Sequence, residues 1–211
     1  MHREDHSVIH ERKRGENLEV AILEAADEII TASGYVHLTF QNVAKQAKTS
    51  RTVIYRRYGT PVELLHALVR YKSEKALGGK AIDLLTDKGS LRMDLLAAME
   101  LYYQFFKSVG LEVLSAVLFE LSQNNKESQL WLSQARDGNI ALMKKVLGFA
   151  KQRGEINREY SRVQMTLPFD LIRLEYIVNN ENVTKEYMAR LVDEVLLPVY
   201  SNGNALKRGV E

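Results

Sequence analysis

Five cations with no acid among them are the residues of this chain whose types and spacing most clearly suit chemistry. Lys45, Lys48, Arg51, Arg56 and Arg57 lie in a 34-residue run, Ile29 to Val62, that holds no Asp or Glu. The chain carries 27 acids in 211 residues, so about four would be expected in such a window. Lys and Arg on a surface cleared of negative charge suit a polyanion, because each phosphate they neutralise releases condensed counterions. Spread over a loop, the same residues would be an ordinary solvated face. The elements that must hold them therefore decide between the two readings.

Those elements read as helices. Leu18, Ala21, Ile22, Ala25, Ala26 and Ile29 recur with the 3.6-residue period of one apolar face. They predict a helix over 16–33, stopped by Gly34 in a left-handed conformation. Thr39 caps a short helix to about residue 47, with Phe40, Val43, Ala44 and Ala47 inward. Ser50 caps another to about residue 57, with Val53 and Ile54 apolar and Arg51, Thr52, Arg56 and Arg57 free to face outward. Two short helices around a tight turn lay the second one in a major groove with its N-terminal side chains at base edges. Arg51 can there bridge guanine O6 and N7, with Thr52 beside it. Arg56 and Arg57 fit backbone clamps, and Ser50 leaves the first amides of the helix near phosphate.

Composition narrows the remaining classes. The net charge is only +2, so the basicity matters locally and not in bulk. There is no cysteine, which excludes disulfides, thiolate metal sites and cysteine nucleophiles. No histidine follows His66, so a His- or Cys-based triad cannot form within residues 67–211. No glycine-rich phosphate loop and no H-E-x-x-H pair is present. An enzyme is not expected, nor a cofactor or a bound metal. His2, His6 and His10 recur every four residues, but their polar surroundings make chance spacing the better account; His37 and His66 read as surface or packing residues. With no apolar signal core and no run of 18 apolar residues, the expectation is a cytoplasmic protein without a membrane span.

Gly34-Tyr35, Thr39, Val43-Ala44, Ala47, Ser50, Tyr55 and Leu64 fall in the order and spacing of the TetR family of transcriptional regulators, which the first third of the chain resembles. The resemblance implies a TetR-like regulator, most commonly a repressor, that is released from a palindromic operator in double-stranded DNA by a small-molecule effector. It adds phosphate contacts from Tyr55 and from the Thr39 hydroxyl to the groove residues above. The expected DNA-binding set is Thr39, Gln41, Lys48, Ser50, Arg51, Thr52, Tyr55, Arg56 and Arg57. The chain departs from the family at Lys48, where a turn glycine is usual, and at Thr49 and Tyr58. It also departs at Pro61, where a phosphate-binding lysine is common. A left-handed Lys48 would be strained.

The rest of the chain continues as helices. Thr60-Pro61 opens one to about residue 77. Others are expected over 90–109, 111–123 and 127–153, then from Pro168 in a first turn to 178, and from Thr184 to near Pro198. The fold class is all-α, about nine helices: a three-helix DNA-binding domain with a helix-turn-helix, followed by a larger helical bundle domain. Residues 1–15 are polar and read as a flexible arm. Its Arg12-Lys13-Arg14 is equally a loose basic cluster or an arm along the phosphates. Residues 16–60 form the helix-turn-helix domain, and 61–211 the effector-binding and dimerisation domain.

Much of the aromatic content falls in 90–153. By resemblance, Tyr102, Tyr103, Phe106, Phe119 and Trp131 are effector-pocket candidates, against the plainer reading of core packing. Glu100, Glu112 and Glu120 could offer a counter-charge to a cationic effector, but an exposed position is the better reading for each. The last two helices carry more apolar surface than one face needs. Phe169, Ile172, Tyr176, Tyr187, Leu191 and Val195 are the implied homodimer interface. A helical half that binds a partner protein and no small molecule is the alternative.

Overall fold

The computed structural model describes residues 5–179 and 182–201, and among them no strand is present. The helices are α1 (Asp5–Ser33), α2 (Phe40–Gln46), α3 (Arg51–Tyr55), α4 (Pro61–Leu77), α5 (Ala81–Leu84), α6 (Leu91–Val109), α7 (Leu111–Ser122) and α8 (Lys126–Gln152). They continue with α9 (Arg162–Val178), α10 (Lys185–Arg190) and α11 (Leu197–Tyr200); a 3₁₀ turn covers Tyr35–His37 and a π turn Leu191–Leu196. The all-α expectation holds, and each of the nine expected helices is found. The single turn α5 is an addition, and the last expected helix is divided by the π turn. No described helix is long and apolar enough to cross a membrane.

Three local expectations are corrected. α1 begins at Asp5 and not at residue 16, so residues 5–15 are helical backbone. The stretch lacks proline and carries Glu11, Arg12, Lys13 and Arg14, which cost little in a helix even without an apolar stripe. Residues 1–4, with His2 of the spaced histidines, lie outside the described residues. Gly34 has φ 85° and ψ 161°, an extended mirror conformation open only to glycine and not the left-handed helical one. α9 does not start at Pro168 but at Arg162, on a Ser161–Gln164 capping box. Pro168 thus falls inside the helix, buried.

The interior proline orphans one carbonyl, and the chain end satisfies it. A residue without an N–H at 168 leaves the Gln164 carbonyl without its helical donor. The Tyr200 hydroxyl, fully buried, donates to that carbonyl at 2.5 Å. Burial pushes the Tyr200 phenol up, so it remains a donor at any ordinary pH. The Tyr160 hydroxyl donates to the Tyr200 carbonyl, and the two rings meet edge-on at 5.3 Å. A regular turn before Pro198 would drive its ring into the Glu194 carbonyl. The π turn instead widens the helix there, with the Leu197 amide bonded back to Val192.

By internal contacts the chain forms two compact units. One is Met1–Lys72 with Glu112–Gln129; the other is Ser73–Leu111 with Leu130–Glu211. The chain passes between them inside α4, at the start of α7 and inside α8, so α4 and α8 are continuous from one unit to the other. In the first unit α1 packs on α2 and the 3₁₀ turn, and α2 on α3. In the second, α6 packs on α9, α10 and the π turn. A buried carboxylate fixes the start of α6: Asp94, 1 % exposed, accepts from the Lys88 amide at 2.7 Å and from Arg153 at 2.6 Å. Glu155 accepts from the Leu91 amide at 2.8 Å and also binds Arg153.

Replacing Tyr200→Phe should cost about 1–2 kcal/mol in denaturant unfolding, because the Gln164 carbonyl loses its donor. In a Pro168→Ala background the new amide serves that carbonyl, and the loss should shrink by roughly 1 kcal/mol. Additive losses would disprove the link between proline and tyrosine.

Candidate nucleic-acid interface

The reading element is assembled from its caps inward. The Thr39 hydroxyl accepts from the Asn42 amide at 3.2 Å and so starts α2; Ser50 accepts from the Val53 amide at 3.3 Å and starts α3. Between them Lys48 takes φ 51°. The Thr49 amide reaches back to the Ala44 carbonyl at 3.0 Å and the Lys48 amide to Lys45 at 3.4 Å. This closes α2 by the bonding of a Schellman turn, in which glycine is usual. A lysine there carries a left-handed penalty of about 1–2 kcal/mol, and it places a cation between the two helices.

α3 is seated by few residues. Ile54 is fully buried and Tyr58 nearly so, while Val53 is half-buried. All nine expected DNA contacts, Thr39, Gln41, Lys48, Ser50, Arg51, Thr52, Tyr55, Arg56 and Arg57, are exposed. Tyr55 rests its ring edge-on against Phe40 at 4.6 Å. The Arg51 guanidinium donates to the Tyr55 hydroxyl at 2.8 Å. The face is not wholly free of acids in space: Glu19 of α1 lies 3.8 Å from Arg57 and Glu28 accepts from Gln46. A half-exposed pair at that distance is weak and yields readily to phosphate.

Residues far along the chain hold this element, and the sequence carried no signal for them. The Tyr35 hydroxyl donates to Glu120 at 2.7 Å, and the Asn125 amide to the same carboxylate at 3.0 Å. Burial first, and then Glu120, push the Tyr35 phenol up, so it stays a donor. At the other end the Thr60 hydroxyl donates to Glu127 at 2.9 Å while accepting from the Glu63 amide; Glu63 returns a bond to the Gly59 amide at 2.7 Å. The Thr60 cap is thus as expected, with Pro61 at the first helical position. Glu120 and Glu127 clasp the segment just before α2 and the segment just after α3.

The effector candidates divide. Tyr102 and Phe106 are buried together in the second unit, ring centroids 4.9 Å apart, and Tyr103 is half-buried nearby on α6. Phe119 is placed elsewhere: it is 54 % exposed in the first unit, against Tyr35 at 6.0 Å. It lies on α7 outside the buried set of Val113, Leu114, Ala116 and Val117. Trp131 is half-buried on α8. The spacing also missed two polar partners of Tyr102, whose hydroxyl accepts from Arg173 at 3.1 Å and Asn139 at 3.4 Å. Glu100 holds Gln104, and Glu112 is exposed.

The expected dimer residues are largely core. Phe169, Ile172 and Tyr176 are fully buried and Leu191 nearly so. Phe169 meets Tyr102 at 4.7 Å and Tyr176 meets Phe106 at 5.3 Å, on the α6 side of α9. Tyr187 is half-buried and Val195 38 % exposed. The surplus apolar surface lies on the nearly opposite stripe of α9, where Val163, Leu174 and Val178 are 76 %, 59 % and 67 % exposed. Apolar content showed that α9 has two apolar faces, but not which one is covered.

Known proteins agree with this architecture. Residues 22–68 match the family model of bacterial regulatory proteins of the tetR family, and residues 85–195 match a tetracyclin repressor-like C-terminal domain. An uncharacterized HTH-type transcriptional regulator of Mycobacterium tuberculosis is 31 % identical over 185 residues, covering 85 % of this chain and 86 % of that one. The DNA-binding transcriptional repressor TetR of Mycobacteroides abscessus is 24 % identical over 190 residues, 90 % and 97 % of the two chains. The fold matches the transcriptional regulator FadR of Bacillus subtilis in complex with stearoyl-CoA, with a TM-score of 0.63 at 21 % identity over 86 % and 97 % of the chains. With its helix-turn-helix, its helical C-terminal half and this likeness in sequence, the chain belongs to the TetR family of DNA-binding transcriptional regulators.

Proposed function

We propose that this regulator is a cytoplasmic repressor that binds a near-palindromic operator as a homodimer and releases it when a small molecule enters the helical unit. The observation that carries the reading is α3 and the turn that follows it, where Arg51, Thr52, Tyr55, Arg56 and Arg57 are exposed while Ile54 is fully buried. A short helix seated by its core residue with a basic face open to solvent suits a major groove. Repression is supported by the Mycobacteroides relative, which is named a repressor. A two-fold dimer would place two such helices ~34–36 Å apart, or a multiple of that, and so call for a near-palindrome. The exposed apolar stripe Val163, Leu174 and Val178, with Val195 of the last helical segment, supplies a surface for that pairing.

For the effector, Tyr102, Tyr103 and Phe106 supply aromatic walls, and Arg173 and Asn139 the polar tip. Apolar walls with few placed polar groups suit a small molecule. A half-buried guanidinium suits one that bears an acceptor or an anion. Stearoyl-CoA in the Bacillus neighbour has that character. The ligand would bind the low-affinity conformer better and shift the population toward it. The helices α4 and α8, continuous between the units, would carry the change.

Three measurements test the reading. Removing Arg56 should weaken binding to all sequences and lower the log–log salt slope by about 1; an unmoved slope means that Arg56 does not touch phosphate. Leu174→Glu with Val178→Glu should leave the fold intact, since both are exposed, yet give monomers in sedimentation and abolish operator binding. A dimer that persists would exclude this stripe. Among long-chain fatty acids and their CoA esters, a ligand that raises the melting temperature and weakens operator binding should lose both effects on Arg173→Met. Equal shifts in wild type and variant would remove Arg173 from the site.

A further inference from the structure

Arg51 and Tyr55 are not two independent contacts. They stand four residues apart on α3, both exposed, at a spacing that makes them neighbours on one helix face. The Arg51 Nη2 donates to the Tyr55 hydroxyl at 2.8 Å, and the guanidinium carbon lies 5.1 Å from the ring centroid. The ring itself is held edge-on by Phe40 at 4.6 Å and 89°, and Phe40 is buried in the first turn of α2. An unbroken line of contacts therefore runs from the core of the DNA-binding unit to the guanidinium.

We propose that Tyr55 is a positioning residue for sequence recognition, holding Arg51 ready to read a guanine, and is not chiefly the phosphate anchor that the family resemblance implies. An unheld arginine loses much rotamer freedom when it engages a base edge. One already fixed loses less and binds that base more tightly. Guanidinium has five N–H donors in a plane; with one on Tyr55, four remain, and two suffice for guanine O6 and N7. The cation over the ring face adds an electrostatic attraction that keeps the pair together.

The two roles differ in what they do to sequence preference. A phosphate bond from a neutral hydroxyl strengthens binding to every duplex alike. A positioning bond strengthens only duplexes with the base that Arg51 reads. The proposal rests on Arg51 as that reader, and the experiment separates the two claims.

Full-length protein would select duplexes from a randomised pool. The preferred duplex and a scrambled one of equal length would then be titrated at fixed salt with wild type, Arg51→Ala, Tyr55→Phe and the double variant. Tyr55→Phe keeps the ring on Phe40, and a thermal melt checks that the fold is kept. The expected result is a ~3–10-fold loss on the preferred duplex alone. Preference should flatten at the same base pair that Arg51→Ala flattens, with no further loss of preference in the double variant. An equal loss on both duplexes with preference intact makes Tyr55 a phosphate anchor and overturns the proposal. If only Arg51→Ala flattens preference, Arg51 remains the reader and the positioning role fails. If Arg51→Ala leaves preference intact, the reading role fails and the proposal falls with it.

Discussion

The carboxylate of Glu120 is the point on which the DNA-binding unit depends. It accepts the Tyr35 hydroxyl at 2.7 Å through one oxygen and the Asn125 amide at 3.0 Å through the other. Bonds to an ionised acceptor are the stronger kind, and Tyr35 sits in the 3₁₀ turn that delivers the chain to the Thr39 cap. That bond adds to the packing of α1 on α2 and on the 3₁₀ turn and to the bond from the Gln46 amide to Glu28, while Gly34 at the join holds a backbone conformation that glycine alone tolerates. Glu127 does the same at the far end through Thr60, the cap of α4. Residues 112–129 belong to the same compact unit as the helix-turn-helix.

α4 and α8 each begin in the DNA-binding unit and end in the helical one. α8 carries Glu127 of the clasp, and Glu120 lies on α7 just before it. Short helices make the element sensitive: α3 spans five residues and is seated chiefly on Ile54 and Tyr58. A helix of that length has little stability of its own and takes its geometry from what it packs on.

The helical unit shows a similar economy at its end. Pro168 breaks one backbone bond in the middle of α9, and Tyr200 from the last helix replaces the missing donor. The proline thereby ties the C-terminal helices to α9, whose nearly opposite stripe, Val163, Leu174 and Val178, stays exposed. The buried Asp94, held by Arg153 and the Lys88 amide, fixes the opposite end of α6. A buried carboxylate is tolerated there because every bond it needs is supplied.

The sequence by itself determined what depends on neighbours within a few residues. Helical period, the capping hydroxyls of Thr39, Ser50, Thr60 and Thr184, and the strained turn at Lys48 are local. All were legible, as were the exposed basic residues of α3, because Ile54 at the opposite phase had to be inside. Only the tertiary structure decided which of two apolar faces a helix covers. Phe169 and Tyr176 on α9 belong to the surplus apolar surface that the family resemblance makes a dimer seam, but they fill the gap beside Tyr102 and Phe106. Hydrophobicity has no direction, and the partner that buries a face is dozens of residues away. The clasp from Glu120 to Tyr35, 85 residues apart, was invisible for the same reason: a charge on a helix looks solvated until the fold brings its donor to it.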